Sequence, residues 1–147
     1  MFPRKYRIHA FLALVSLVII FYPSLSKKPD QQRIDASTAA AIHFLDLVDS
    51  GQYEQSWQSA AAYLKKDIPL EEWIKRLSAV RSVSGKLIDR KQKDYFYTKE
   101  PKNDIPPGEY MIYVFTSKFE HKDDLTETVT LMLEDGKIWR VAGYFIE

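Results

Sequence analysis

The sequence predicts an α+β domain: three N-terminal helices packed on a four-stranded antiparallel sheet, behind a short apolar leader. Three observations carry that expectation. Across residues 35–84, apolar side chains recur at i, i+3, i+4 and i+7, the spacing of one helix face. After Gly85 the period shortens toward two, as in strands. Residues 125–146 (LTETVTLMLEDGKIWRVAGYFI) then form two β-rich runs joined by Asp135-Gly136, a strong hairpin signal. So apolar a sheet needs a cover, and the helices supply it.

The chain has 147 residues, which suits one domain plus a leader. With 46% hydrophobic and 14% aromatic residues it can bury a core, so disorder is not its default state. Three basic residues, Arg4, Lys5 and Arg7, precede Lys27, whereas every acidic residue follows it. The folded part is therefore slightly acidic and has no electrostatic reason to bind nucleic acid. The absence of cysteine excludes disulfides, thiolate catalysis, cysteine-ligated zinc and lipid attachment through an N-terminal cysteine.

Residues 1–26 follow the export pattern of a basic start, an apolar stretch over residues 10–22, then Pro23-Ser24-Leu25-Ser26. Ser24 and Ser26 are small enough for signal-peptidase cleavage after Ser26. The alternative is a retained membrane anchor: about 13 helical residues reach only about 20 Å of a hydrocarbon core of about 30 Å. Bilayer thinning and snorkelling of Lys27 and Lys28 can close that gap. Either outcome places the domain outside the cytoplasm, periplasmic, secreted or held at the inner membrane. The expected division is leader 1–26, polar tether 27–34 and folded domain 35–147.

The first helix is expected over residues 35–50, with Ala41, Phe44, Leu45 and Val48 as its stripe, Asp35 or Ser37 as its cap and Gly51 as its stop. The second spans residues 52–65 with Tyr53, Trp57, Ala60, Ala61 and Leu64. Asp67-Ile68-Pro69 restarts the chain into a third helix, residues 69–84, carrying Leu70, Trp73, Ile74, Leu77 and Val80. Glu71 and Glu72 suit its positive first turn. Residues 86–97 read as a charged edge strand, 100–108 as a loop and 109–119 as a central strand. Residues 120–124 turn into the final hairpin.

Two registers are open for that hairpin. A two-residue loop sets Leu131 and Leu133 on the face of Ile138, Arg140 and Tyr144. A three-residue loop with a bulge sets them with Trp139, Val141 and Phe145. The second concentrates bulk on one face and is preferred.

No catalytic motif stands out. His9, His43 and His121 lie in separate segments, and no pair has metal-ligand spacing. Residues 120–124 lack the glycine and spacing of a calcium loop. No glycine-rich phosphate loop or serine nucleophile elbow is present. No metal or cofactor is implied. Tyr53, Trp57, Trp73, Tyr113 and Trp139 are candidate pocket-lining aromatics, although at these spacings aromatics more often build core. Arg81 and Arg90 sit on half-buried faces and need carboxylate partners, with Glu127 available. These eight residues are the candidate site. An acid–base enzyme would draw on Glu127 or Asp94 with Tyr113 or Tyr95.

The motifs Asp-x-Gly-x-Tyr-x-x-x-Trp at residues 49–57, Trp73…Arg81…Gly85…Arg90, and Gly-x-x-Trp-Arg-Val-x-Gly-Tyr at residues 136–144 together resemble an exported bacterial family, domain of unknown function 4019. The resemblance spans about residues 36–146. It implies a cystatin-like, nuclear-transport-factor-two-like cone, in which a curved sheet wraps a long helix, and a place in the bacterial cell envelope. It implies no activity. Two function classes follow. One is a non-catalytic domain binding a small apolar ligand or a partner protein; the other is a cone-type enzyme in the manner of ketosteroid isomerase. Both faces of the central and final strands are apolar, so a homodimer through the outer sheet face is also expected.

Overall fold

A computed structural model describes residues 28–99, 101 and 104–147. The leader expected over residues 1–26 lies outside the described residues. Helices α1 (Gln31–Asp49), α2 (Tyr53–Gln58), α3 (Ala62–Asp67) and α4 (Leu70–Ser84) precede strands β1 (Leu87–Thr98), β2 (Tyr110–Phe119), β3 (Lys122–Glu134) and β4 (Ile138–Ile146). The strands form one antiparallel meander in the order β1-β2-β3-β4. The fold is α+β, with helices first and a four-stranded sheet after them.

Helix α1 begins four residues before periodicity alone predicts. The Asp30 carboxylate accepts the Arg33 backbone N–H at 2.9 Å, an N-cap that satisfies an otherwise orphaned donor. Residues 31–34, expected in the tether, are therefore helix. The buried face of α1 is Ser37, Ala41, Phe44, Leu45 and Val48.

The predicted second helix is two short ones, so among the described residues four helices replace three. The break is tertiary in origin. Ala61 is extended (φ −61°, ψ 146°), and its N–H bonds to Val141 O of edge strand β4 at 2.8 Å. Beside it, Arg140 Nη1 donates to Ser59 O at 3.3 Å and the Ala62 N–H to Glu134 Oε1 at 2.6 Å. These bonds replace intrahelical ones and occupy part of a sheet edge. Helix α4 runs as expected to Gly85, whose φ of +79° favours glycine. A Cβ there would meet Glu120 Oε2 at 2.7 Å, so the β2–β3 turn also requires the glycine. That turn is shorter than predicted, because Lys122 already pairs with Phe119.

The β3–β4 loop has three residues. Asp135 and Gly136 take positive φ, the Lys137 N–H bonds to Glu134 O, and Glu134 faces Ile138. Leu131 and Leu133 thus oppose Val141 and Trp139, as the preferred register requires. A second irregularity corrects the rest of that expectation. Thr130 pairs with Gly143 and Leu131 with Val141, so Ala142 is an extra residue. One extra residue reverses the alternation beyond it. Tyr144, opposite Val129, enters the core at 8% exposure, and Phe145 takes the other face.

The inner face of the sheet, including Met111, Tyr113, Phe115, Val129, Leu131, Trp139, Val141 and Tyr144, shares one core with Phe44, Leu45 and Val48 of α1. Phe44 meets Tyr144 edge-on at 5.4 Å and Trp73 at 6.1 Å between ring centroids. The outer face is less bare than its alternation suggests. Tyr110, Ile112 and Thr130 are buried within the single chain, and Tyr110 Oη donates to Pro106 O at 2.7 Å. Pro106, just before β2, therefore lies against one end of that face. Val114, Thr128 and Phe145 remain half-buried.

Candidate functional site

Glu127 lies on the inner face of β3, opposite Phe115, and is 0% exposed. A carboxylate so placed is costly unless its charge and lone pairs are met. Four groups meet them. Arg90 Nε donates to Oε1 at 2.8 Å, and its Nη2 stands 2.8 Å from the same oxygen as an ion-pair contact. Ser117 Oγ donates to Oε1 at 2.5 Å and Tyr144 Oη to Oε2 at 2.5 Å. The guanidinium of Arg81 stands 3.7 Å from Oε2.

Asp49 completes the cluster. Its carboxylate receives Arg90 Nη1 and Nη2 at 2.6 and 3.0 Å and Arg81 Nη2 at 2.8 Å. Arg81 also donates to Tyr144 Oη at 3.3 Å and lies over the Phe119 ring, 4.5 Å from its centroid. Two guanidinium groups thus balance two carboxylates. Among the described residues, no buried side-chain nitrogen or oxygen lacks a partner.

The fold assembles this centre from every long element. Asp49 closes α1, where a carboxylate opposes the helix dipole and needs the two arginines. Arg81 is in the last turn of α4, where the dipole favours a cation. Arg90, Ser117 and Glu127 come from β1, β2 and β3. Tyr144 reaches the centre because the Ala142 bulge turns it inward.

The electrostatics follow from these contacts. Burial alone would raise the Glu127 pKa, but the Arg90 hydrogen bonds and charge, with Ser117 and Tyr144, hold it below the usual carboxylate range. Burial likewise opposes the Arg90 charge, and Asp49 and Glu127 overcome it and raise its pKa. Burial, then the Glu127 charge, pushes the Tyr144 phenol well above its ordinary value. Glu127 and Arg90 are therefore ionised at neutral pH, with Tyr144 a neutral donor.

A smaller polar group ties α1 to the opposite end of the sheet. Arg33 Nε donates to Glu109 Oε2 at 2.8 Å, and Tyr97 Oη donates to the same oxygen at 2.7 Å. The Arg33 hydrogen bond lowers the Glu109 pKa, and burial followed by Glu109 raises Tyr97 to about 12.

The eight candidate residues do not converge on one pocket. Arg81, Arg90 and Glu127 meet in the charge cluster. Tyr113 Oη turns to α1, 2.7 Å from Ser37 Oγ and 2.9 Å from Thr38 Oγ1. Trp73 is in the helical layer with its indole N–H on Ser56 Oγ at 3.0 Å. Trp57 donates to Ile68 O at 2.8 Å, and Tyr53 packs against the core nearby. Trp139 belongs to the core near the final hairpin. Neither nominated acid–base pairing forms: the tyrosine on Glu127 is Tyr144, and Asp94 is exposed with its carboxylate on the Tyr95 N–H. Sequence reasoning missed Asp49, Ser117 and Tyr144 as members of the site. A signal existed for two of them, since Asp49 and Tyr144 are the outer residues of their motifs. Among the described residues, no group of three or more His, Asp or Glu is placed to hold a metal ion.

No curated protein sequence matches the chain. A family model does match, over residues 40–144, which is more than half of the chain. That interval includes Asp49, Arg81, Arg90, Ser117, Glu127 and Tyr144, so the whole charge cluster is inside the matched domain. The chain belongs to the DUF4019 family of proteins of unknown function.

Proposed function

We propose that this domain works outside the cytoplasm, in the bacterial cell envelope, as a non-catalytic module that binds a partner protein through its surface. The state of Glu127 carries this reading. A general base needs a pKa near the working pH and a free lone pair facing the substrate. Glu127 has neither, because it is buried, ionised and saturated by Arg90, Ser117 and Tyr144. The cluster holds the fold together and leaves little for an isomerase-type mechanism to use. A cone fold, as the family resemblance implies, would not by itself supply an activity.

The space between α1 and the sheet is filled by Phe44, Leu45, Val48, Tyr113, Val129 and Leu131, each at most 2% exposed. This favours recognition at the surface over an apolar ligand inside. Among the described residues, the large apolar side chains most open to solvent are Val83, Ile88, Ile138 and Ile42. Photo-crosslinkers placed singly at these four positions in cells should trap a protein of defined mass at one position or more. Silence at all four would overturn surface binding, as would an enzymatic turnover that Glu127→Gln abolishes in a folded chain. Residues 1–28 fused to a reporter active only outside the cytoplasm should give a positive signal. An inactive fusion overturns export.

A second copy is the alternative partner, favoured by the half-buried row of Val114, Thr128 and Phe145 on the outer face. Light scattering at about 100 μM, well above the micromolar range of ordinary specific contacts, decides it. A monomer there removes the homodimer.

A further inference from the structure

We propose that α4 is a cover that opens separately from the rest of the domain, with Arg81 as its releasable latch. Three features of the helix point this way. Of its 15 residues only Trp73, Leu77 and Ser84 are buried, and no side chain caps its N-terminus. It runs alongside α2. It reaches the core and the sheet through a few side chains, chiefly Trp73 against Phe44 and Arg81 in the charge cluster. Elements with few buried apolar side chains open at the low end of a protein's stability range.

The arrangement of counterions decides whether such opening is affordable. Pulling one partner from a buried ion pair is costly because it strands the other. Arg81 meets less of that cost than Arg90 would: its departure leaves one guanidinium between two carboxylates, yet strands neither. Its two carboxylate neighbours, Asp49 and Glu127, are each held independently by Arg90, at 2.6 and 2.8 Å. Tyr144 keeps its bond to Glu127. When Arg81 departs, neither carboxylate loses its last counterion, and a guanidinium released to water is well solvated. The same departure by Arg90 would leave Glu127 with Arg81 at 3.7 Å as its nearest cation. The two arginines are therefore unequal: Arg90 is the permanent counterion and Arg81 the removable one.

Both flanks of α4 are tied down, so the opening is a local unfolding of the helix between them. The Ser84 carbonyl accepts the His121 N–H at 2.9 Å, and Glu120 is packed against Gly85, so the C-terminal end stays with the β2–β3 turn. At the other end, the Ile68 carbonyl of the extended link before the helix accepts the Trp57 indole N–H at 2.8 Å. Unfolding the helix uncovers Phe44, Phe119 and Tyr144 around the Arg90–Glu127 pair.

Native-state hydrogen exchange on the full chain tests this. In the wild type, α4 amides should exchange at least about tenfold faster than those of β2 and β3, with a weaker dependence on urea. Arg81→Met should raise exchange in α4 selectively, whereas Arg90→Met should raise it in all elements together. The proposal is overturned if α4 exchanges in step with β2 and β3, or if Arg81→Met accelerates every element equally. An Arg81→Met chain unable to fold overturns it too, because a releasable latch cannot be essential to folding.

Discussion

The carboxylate of Asp49 and the guanidinium of Arg90, one at the end of a helix and the other near the start of a strand, meet through paired hydrogen bonds of 2.6 and 3.0 Å. Arg90 turns its Nε to Glu127, so a single side chain joins α1, β1 and β3. Replacing it by alanine leaves one buried carboxylate and one half-buried carboxylate competing for Arg81. Arg90→Ala should cost about 3–5 kcal/mol in urea unfolding. Arg90→Lys should recover little of this, because an ammonium cannot present a planar fork to both carboxylates. A loss below about 1 kcal/mol, the scale of solvent-exposed pairs, would show the cluster to be wet in solution.

Glu127 makes acid stability a readout of the same centre. Its folded pKa lies below the unfolded value, so the unfolded chain binds the proton more readily. The stabilisation is complete above about pH 4.3, the unperturbed glutamate value, and is lost as pH falls through the lower folded pKa. Glu109, also lowered, contributes with the same sign. Glu127→Gln should therefore flatten the acid limb of a stability–pH curve while lowering stability at pH 7. An acid limb identical to wild type would mean that Glu127 is not held ionised.

The bulge at Ala142 assigns opposite environments to neighbouring aromatics. Tyr144→Phe removes a buried hydroxyl that serves Glu127 and accepts from Arg81, and should cost about 1–3 kcal/mol. Phe145→Tyr adds a hydroxyl on the half-buried outer face and should stay within about 0.5 kcal/mol of wild type. A reversed ranking in thermal or urea melts would mean that the strand lacks the bulge.

Ser56 is 0% exposed and is the acceptor for the Trp73 indole, donating in turn to Tyr53 O at 2.7 Å. Ser56→Ala leaves the indole N–H buried without a partner, at a cost of about 1–3 kcal/mol. Trp73→Phe removes that donor as well as bulk, so the double variant should be less destabilised than the two single losses added together. Simple additivity would place the indole N–H on another acceptor.

Local signals account for most of the architecture. The 3.6-residue stripe of Ala41, Phe44, Leu45 and Val48, the stop at Gly85 and the Asp135-Gly136 turn each depend on neighbouring residues, so each could be read directly. The need of Arg81 and Arg90 for a carboxylate was also legible, because an unpaired charge on a half-buried face is costly anywhere. Pairings between distant segments were not. Asp49 lies among surface-compatible residues at a helix end, and only the crossing of α1 over the sheet brings it to Arg90. The second predicted helix breaks because Ala61 finds Val141, a partner 80 positions away that no local propensity encodes. Tyr144 displaces Phe145 from the core because one unpaired residue at Ala142 reverses a strict alternation, which happens only once β3 sets the register. Short-range chemistry chose the elements; the long-range hydrogen bonds of the folded chain chose which side chains face the centre.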